Sequence, residues 1–349
     1  MIRLIIILLG FFSLTGRIWG QEMIGPHGFL TLEAEISNKD SIGERGTFDL
    51  HHFNLFGNYL ITSRARVFGE IEWEHGTDTD RRERNGIEKG FVRVERAWFE
   101  YEMSRYLKLR LGKFLTPYGI YNEIHDASPA YDTVVLPQSI YGFHTNPFGE
   151  QQRFYPKFSL GVQILGGIET QHAQFQYKFY LSNGRGKNPF EQDDNKNKGI
   201  GMRLLAEFPQ PGIKVGYSIT TDKNGLEFNS RQTSQVWDFR FEYRNLHFSS
   251  EYALAYLAGM KGKNSEQHAT AWWGEIAALL FGRQTIFIRY DFFDNDSRRM
   301  NDRERDLILG SSIQVLKQVL VKGELHFWNV DNAPRSHYVL ATSSLAVTF

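Results

Sequence analysis

Cysteine is absent from the 349 residues. Its absence excludes a disulfide framework and any thiolate site, and removes the thiol a lipoprotein needs at its mature N-terminus. Net charge is absent too: 40 Lys and Arg balance 40 Asp and Glu. No electrostatic case for nucleic acid remains, so none is expected as a partner. Beyond residue 20 there is no run of 18 apolar residues, and no transmembrane helix is expected. An exported chain without helical spans can still cross a membrane as a closed barrel.

Glycine and aromatic residues are plentiful, with 32 Gly and 15% Phe, Trp and Tyr. That enrichment fits many short strands and turns better than a helical core. Met1-Ile2-Arg3 gives a positive start, Leu4 to Leu14 is an apolar run too short to span a bilayer, and Arg17-Ile18-Trp19-Gly20 follows. Residues 1–20 therefore read as a secretory signal peptide, leaving 21–349 as one domain. Without Arg3 and Arg17, 38 basic side chains face 40 acidic ones.

From Phe29 onward apolar and polar residues alternate in segments of about ten, the pattern of a transmembrane β-barrel. Leu30, Leu32, Ala34 and Ile36 share one face; Ala65, Val67, Gly69, Ile71 and Trp73 share another, with Arg66, Phe68, Glu70 and Glu72 between them. The segments predict an all-β, up-and-down antiparallel barrel of about sixteen strands. Tight connections such as 209–212 and 244–245 take turns with long polar ones at 76–90, 184–198, 222–233, 257–267 and 294–305. Outer-membrane barrels alternate short periplasmic turns with long outer loops in this way. Arg240, Arg289, Lys322 and Glu324 fall at mid-strand. Facing lipid, a base would cost up to roughly 4 kcal/mol, so all four are expected to meet water inside. Tyr59, Tyr101, Tyr243, Tyr256 and Phe327 lie near strand ends, where aromatic girdles form.

One segment breaks the period. From Phe114 to about Tyr155 there is neither helical nor strand alternation, and so long a loop inside a domain is normally functional. It is expected to fold into the lumen and narrow it. Pore selectivity follows from the charges at the narrowest point. The segment brings Tyr118, Glu123, His125, Asp126, Asp132 and His144, with no Lys or Arg between Phe114 and Glu150. On the neighbouring wall Arg66, Arg96, Lys108 and Arg110 should point inward among Glu70, Glu72 and Glu100. Opposed acids and bases would give a weakly cation-preferring or mixed-field constriction. The segment's aromatic residues read as its own packing against the wall, with stacking surfaces for sugars as the sharper alternative.

Several stretches resemble bacterial outer-membrane porins. The chain ends Leu345-Ala346-Val347-Thr348-Phe349, similar to the terminal signal read by the barrel-assembly machinery, with Phe349 as its last residue. Arg96-Ala97-Trp98-Phe99-Glu100-Tyr101, then Leu109-Arg110-Leu111-Gly112-Lys113-Phe114 with Pro117-Tyr118-Gly119, resembles the phosphate-selective porin O and P family. Tyr180-Leu181-Ser182-Asn183-Gly184-Arg185-Gly186 is similar to that family's strand-to-loop entry. The resemblance implies a homotrimer of sixteen-stranded barrels, with the third outer loop folded inward and lined by Arg and Lys. This segment departs from that lining, so phosphate selectivity is not carried over.

The function expected is passive diffusion of small hydrophilic solutes and ions across the outer membrane, among lipid and lipopolysaccharide. Alternatives are a channel selective for sugars or small organic acids, and a closed barrel used for surface adhesion. No catalytic residue, cofactor or metal site is assigned. Walker, G-x-S-x-G and HExxH patterns are missing, His51-His52 reads as a polar strand face, and Asp294-Asn295-Asp296 reads as a solvated loop.

Overall fold

The computed structural model describes residues 23–41, 43–75, 92–124, 127–145, 151–185, 190, 193, 195–224, 230–260 and 263–349. The expected signal peptide and the candidate residues His125 and Asp126 lie outside them. Sixteen antiparallel strands close into one barrel. They are β1 (Met23–Ser37), β2 (Thr47–Thr62), β3 (Ala65–Glu74), β4 (Val92–Ser104), β5 (Leu107–Leu115), β8 (Phe158–Glu169), β9 (Gln174–Ser182) and β10 (Gly199–Phe208) in the first half. The second half is β11 (Ile213–Asn224), β12 (Ser230–Tyr243), β13 (Leu246–Met260), β14 (Lys263–Leu280), β15 (Gln284–Asp294), β16 (Arg303–Leu316), β17 (Val319–Val330) and β18 (His337–Thr348). A minute pair, β6 (His144–Thr145) with β7 (Gln151–Gln152), stands apart from the barrel sheet. Each barrel strand pairs with its sequence neighbour, and β18 returns to β1 from Phe29↔Thr348 to Ser37↔Leu340. Closure matters because an open edge in a bilayer would strand its backbone donors and acceptors.

At one end the connections are two to four residues long, and the start of β1 and the end of β18 lie there. The other end carries the longer links, but two of them are shorter than the sequence suggests. Residues 222–233 and 257–267 are mostly strand: β11 and β12 stay paired out to Asn224↔Ser230, and β13 and β14 to Met260↔Lys263.

Faces alternate as the period of two requires. In β15, Ile286, Ile288 and Tyr290 point outward and are exposed, while Phe287, Arg289 and Asp291 between them are buried. The outer surface is accordingly an apolar band, with Tyr59, Tyr101, Tyr243 and Tyr256 exposed toward its margins.

The inner face divides into two sectors. Across β12–β17 it sets a buried apolar patch, Val236, Ala253, Ala255, Ala269, Ala271 and Trp273, beside the buried charges Glu251, Arg289, Asp291, Lys322 and Glu324. Across β3–β5 it carries Arg66, Glu70, Arg96, Glu100 and Arg110. The described residues of the connection from β5 to β8, within 116–157, rest on the first of these sectors. Arg289, Lys322 and Glu324 are therefore not bathed in water as expected; they are 1%, 2% and 3% exposed, covered by this segment.

Candidate functional site

The inner segment is tied off at its neck and then held across the lumen. At the neck Thr116 N–H donates to the Lys157 carbonyl (3.1 Å), and Asn122 Nδ2 donates to both the Thr116 and Lys157 carbonyls (2.6 and 3.1 Å). Next comes Gly119, with φ of 61°. A Cβ there would run into the Tyr141 hydroxyl and the Glu251 carboxylate, so the turn needs glycine. It presents Ile120 N–H to Glu251 Oε1 at 2.7 Å. Glu251, on β13, also accepts from the Tyr141 hydroxyl (2.9 and 2.8 Å to its two oxygens) and from Trp273 Nε1 (2.8 Å).

Further along, the segment meets β15–β17. Glu324 accepts from Val134 N–H (2.7 Å) and Val135 N–H (3.2 Å), while Arg289 donates to the Val135 carbonyl (2.8 Å). Lys322 donates to the Ser128 and Thr133 carbonyls (2.5 and 2.8 Å) and to Ser128 Oγ (2.9 Å). Asp291 accepts from Ser139 N–H (3.2 Å) at the start of a single helical turn, α1 (Gln138–Tyr141). The mid-strand charges thus satisfy backbone groups of an irregular segment that would otherwise be buried without partners. Apolar packing completes the anchorage. Tyr118 stacks on Tyr155 (centroids 4.3 Å apart), and Tyr121 lies 5.8 Å from Trp273.

Among the described residues, the opposite wall has no such cover. Arg66 and Arg110 both clasp Glu100, at 2.6 Å each, and Arg96 pairs with Glu70. Lys108 meets Glu102 at 2.8 Å. The acids Glu100 and Glu70 are buried, while Arg66 and Arg96 side chains stay 39% and 25% exposed. Arginine tips therefore face the lumen, over carboxylates set into the wall.

Each sequence-predicted residue that the structure describes has a definite place. Glu123 reaches over to β9, where Lys178 Nζ approaches it at 2.6 Å. Burial would raise its pKa, but Lys178 and then Arg203 hold it below the ordinary value, so it stays ionised. Asp132 accepts a short hydrogen bond from Ser312. Tyr118 and His144 are buried between segment and wall rather than turned to the lumen. The residues the sequence did not single out are the anchors Glu251 and Asp291 and the bridging Lys178; each is a polar residue in a strand whose partner lies far off in the chain. Asp294 and Asp296, in the loop read as solvated, pair with Arg303 and with Arg298 and Arg299.

His144 gives a pH test of the anchorage. Its ring stacks on Phe293 (centroids 3.7 Å apart) and its Nε2–H donates to the Ser139 carbonyl (2.9 Å). Burial holds its pKa down at about 4. A released imidazole titrates near 6.5, so between about pH 6.5 and 4 the undocked segment takes up a proton that the docked one refuses. Docking should weaken as pH falls through that window and level off below it. Proteolysis of the segment should accelerate severalfold from pH 7 to 4, and a His144→Phe variant should lose that dependence.

No described protein family matches the sequence. An uncharacterized protein of Aquifex aeolicus is 34% identical over 161 residues, 46% of this chain, and the chain spans about a third (32%) of that relative's length. Three solved structures are similar in fold. The anion-selective porin from Comamonas acidovorans superposes with a TM-score of 0.65 at 10% identity, covering 94% of this chain and 100% of its own. The outer membrane channel DcaP of Acinetobacter baumannii gives 0.59 at 10% identity over 95% and 98%. OmpT of Vibrio cholerae, in-vitro folded and in trimer form, gives 0.63 at 10% identity over 94% and 99%. The barrel shares its fold with these outer-membrane proteins.

Proposed function

We propose that this chain is an outer-membrane porin: a water-filled channel for passive diffusion of small hydrophilic solutes and ions, narrowed by residues 116–157. It resides in the outer membrane, its apolar band in lipid and lipopolysaccharide, delivered there by the barrel-assembly machinery reading Phe349. The observation that carries the reading is the asymmetric lumen. One sector anchors the inner segment through Glu251, Asp291, Lys322 and Glu324, while the other keeps Arg66, Arg96 and Lys108 partly exposed to solvent, with Arg110 clasped on Glu100 beside them. A segment built only to close the barrel would have no need of a charged wall left uncovered opposite it.

The constriction is mixed-field. Glu123 faces Lys178, and two guanidinium groups share Glu100, so bases and acids nearly cancel and ion preference is weak. In a planar bilayer the purified barrel should show stepwise ohmic conductance, with a reversal potential near zero across a KCl gradient. Absence of conductance would favour adhesion by a closed barrel. Glu100→Gln should shift the reversal potential clearly toward anions, because Arg66 and Arg110 lose the carboxylate they share.

A narrower reading, a channel for small organic acids, is favoured by the arginine tips exposed over buried glutamates; saturable block of conductance by dicarboxylates would mark it. The motifs at residues 96–101 and 109–119 support kinship with the phosphate-selective porin O and P family, without its basic constriction. A homotrimer is part of the proposal, by analogy with the trimeric OmpT.

A further inference from the structure

Three imidazoles converge at the long-loop end of β2 and β3, and two local departures from strand geometry bring them together. The β1–β2 register steps from Thr31↔His52 to Leu32↔Leu50, so His51 is the extra residue of a β-bulge. A bulge re-aims side chains that would otherwise alternate, and the His51 and His52 rings stand 4.0 Å apart. Just past β3, His75 has φ of 53°, a left-handed conformation uncommon outside glycine. Its N–H donates to the His51 carbonyl (3.0 Å), and its ring stacks on His51 at 4.9 Å. Backbone strain of this kind gathers where side chains are positioned for a purpose.

Carboxylates surround the rings. Asp49 Oδ2 is 2.7 Å from His75 Nδ1, and Glu33 Oε2 is 2.8 Å from His51 Nδ1. Ligand atoms of Asp49, His51 and His75 lie within 4.8 Å of one another, as do those of His51, His52 and Glu74. Donors around one zinc ion sit about 2.0–2.1 Å from it, so small rotations of these side chains would complete a shell. Arg93 answers Glu72 and Glu74 (2.7 and 3.3 Å) and also pairs with Glu95.

We infer that this lip binds a divalent transition-metal ion of the zinc, nickel and copper class, with His51, His75 and Asp49 as ligands and His52, Glu33 and Glu74 around them. Imidazole with carboxylate selects that class over magnesium or calcium, which take oxygen shells. The His75 side chain is 49% exposed, so the ion enters from outside, independently of whether the lumen conducts.

The test is calorimetric titration of the detergent-purified full-length barrel with Zn²⁺ at neutral pH, paired with Cu²⁺ spin resonance to detect nitrogen ligation. One saturable site with at least two coordinated nitrogens is expected. His51→Gln with His75→Gln should weaken it by at least ~10-fold, since even outer-shell partners are worth about 10–100-fold. Asp49→Asn, which keeps every imidazole, should weaken it less. His247→Gln, away from the lip on β13, should leave it unchanged, and heat-modifiable gel mobility reports that each variant is folded. Absence of saturable binding, or equal binding by the His51/His75 variant and the native protein, would overturn the assignment and leave the cluster as histidine–carboxylate ion pairs.

Discussion

Replacing Glu251 by alanine should release the inner segment from the wall and raise single-channel conductance severalfold. The carboxylate is 1% exposed and is the common acceptor for Ile120 N–H, the Tyr141 hydroxyl and Trp273 Nε1. Removing a shared acceptor leaves each buried donor to bear its own desolvation, about 1–3 kcal/mol apiece. Three such donors make at least about 3 kcal/mol in favour of the undocked segment. The strand ladder of β13 does not depend on this side chain, so the barrel should still fold and insert. Protease should then cut within residues 116–157, where the native protein resists. Glu251→Gln, which keeps one carbonyl acceptor, should fall between the two. An alanine variant with native conductance and native protease resistance would show that Glu324, Asp291 and the aromatic cluster suffice, and Glu251 would lose its role as the latch.

How much of this was legible in the sequence depends on which contacts a residue makes. Sidedness was legible, because a lipid-facing row cannot tolerate charge and the alternation of Ile286, Ile288 and Tyr290 with Phe287, Arg289 and Asp291 declares it locally. The ends of β11–β14 were not. Beyond the hydrocarbon, outward positions such as Thr221 and Thr233 have no reason to be apolar, so the contrast that marks a strand fades while its pairing continues. Segment 116–157 was recognisable by length, but its resting place was not. Glu324 meets Val134 across 190 positions, and nothing near Glu324 tells a partner in the lumen from water in it. For the same reason Arg289 and Lys322 read as wet. The apolar inner sector hides in β14, where Ala269 and Ala271 face inward between Trp272 and Thr270 facing out; a strand apolar on both faces carries no period to read.

Ile288→Arg should be among the most damaging single changes to the barrel, although Ile288 is 46% exposed. It pairs across the sheet with Ile276 in β14 and Leu309 in β16, all on the outward face. Five residues above the short turn at 281–283, on a strand tilted about 45°, it stands about 12 Å up. That is the middle of an apolar band about 25 Å tall, where a lipid-facing base costs about 2–4 kcal/mol. On a water-facing sheet the same change would be worth only about 0.5 kcal/mol either way. Val315→Arg, on the outward face of β16 two residues from the turn at 317–318, is the depth control, with an expected cost of about 0–1 kcal/mol. Urea-dependent refolding into lipid vesicles would measure both. A steep penalty at Ile288 with a shallow one at Val315 is the signature of hydrocarbon around the barrel. Equal and small penalties would place water on that face, and with it would go the membrane and the channel.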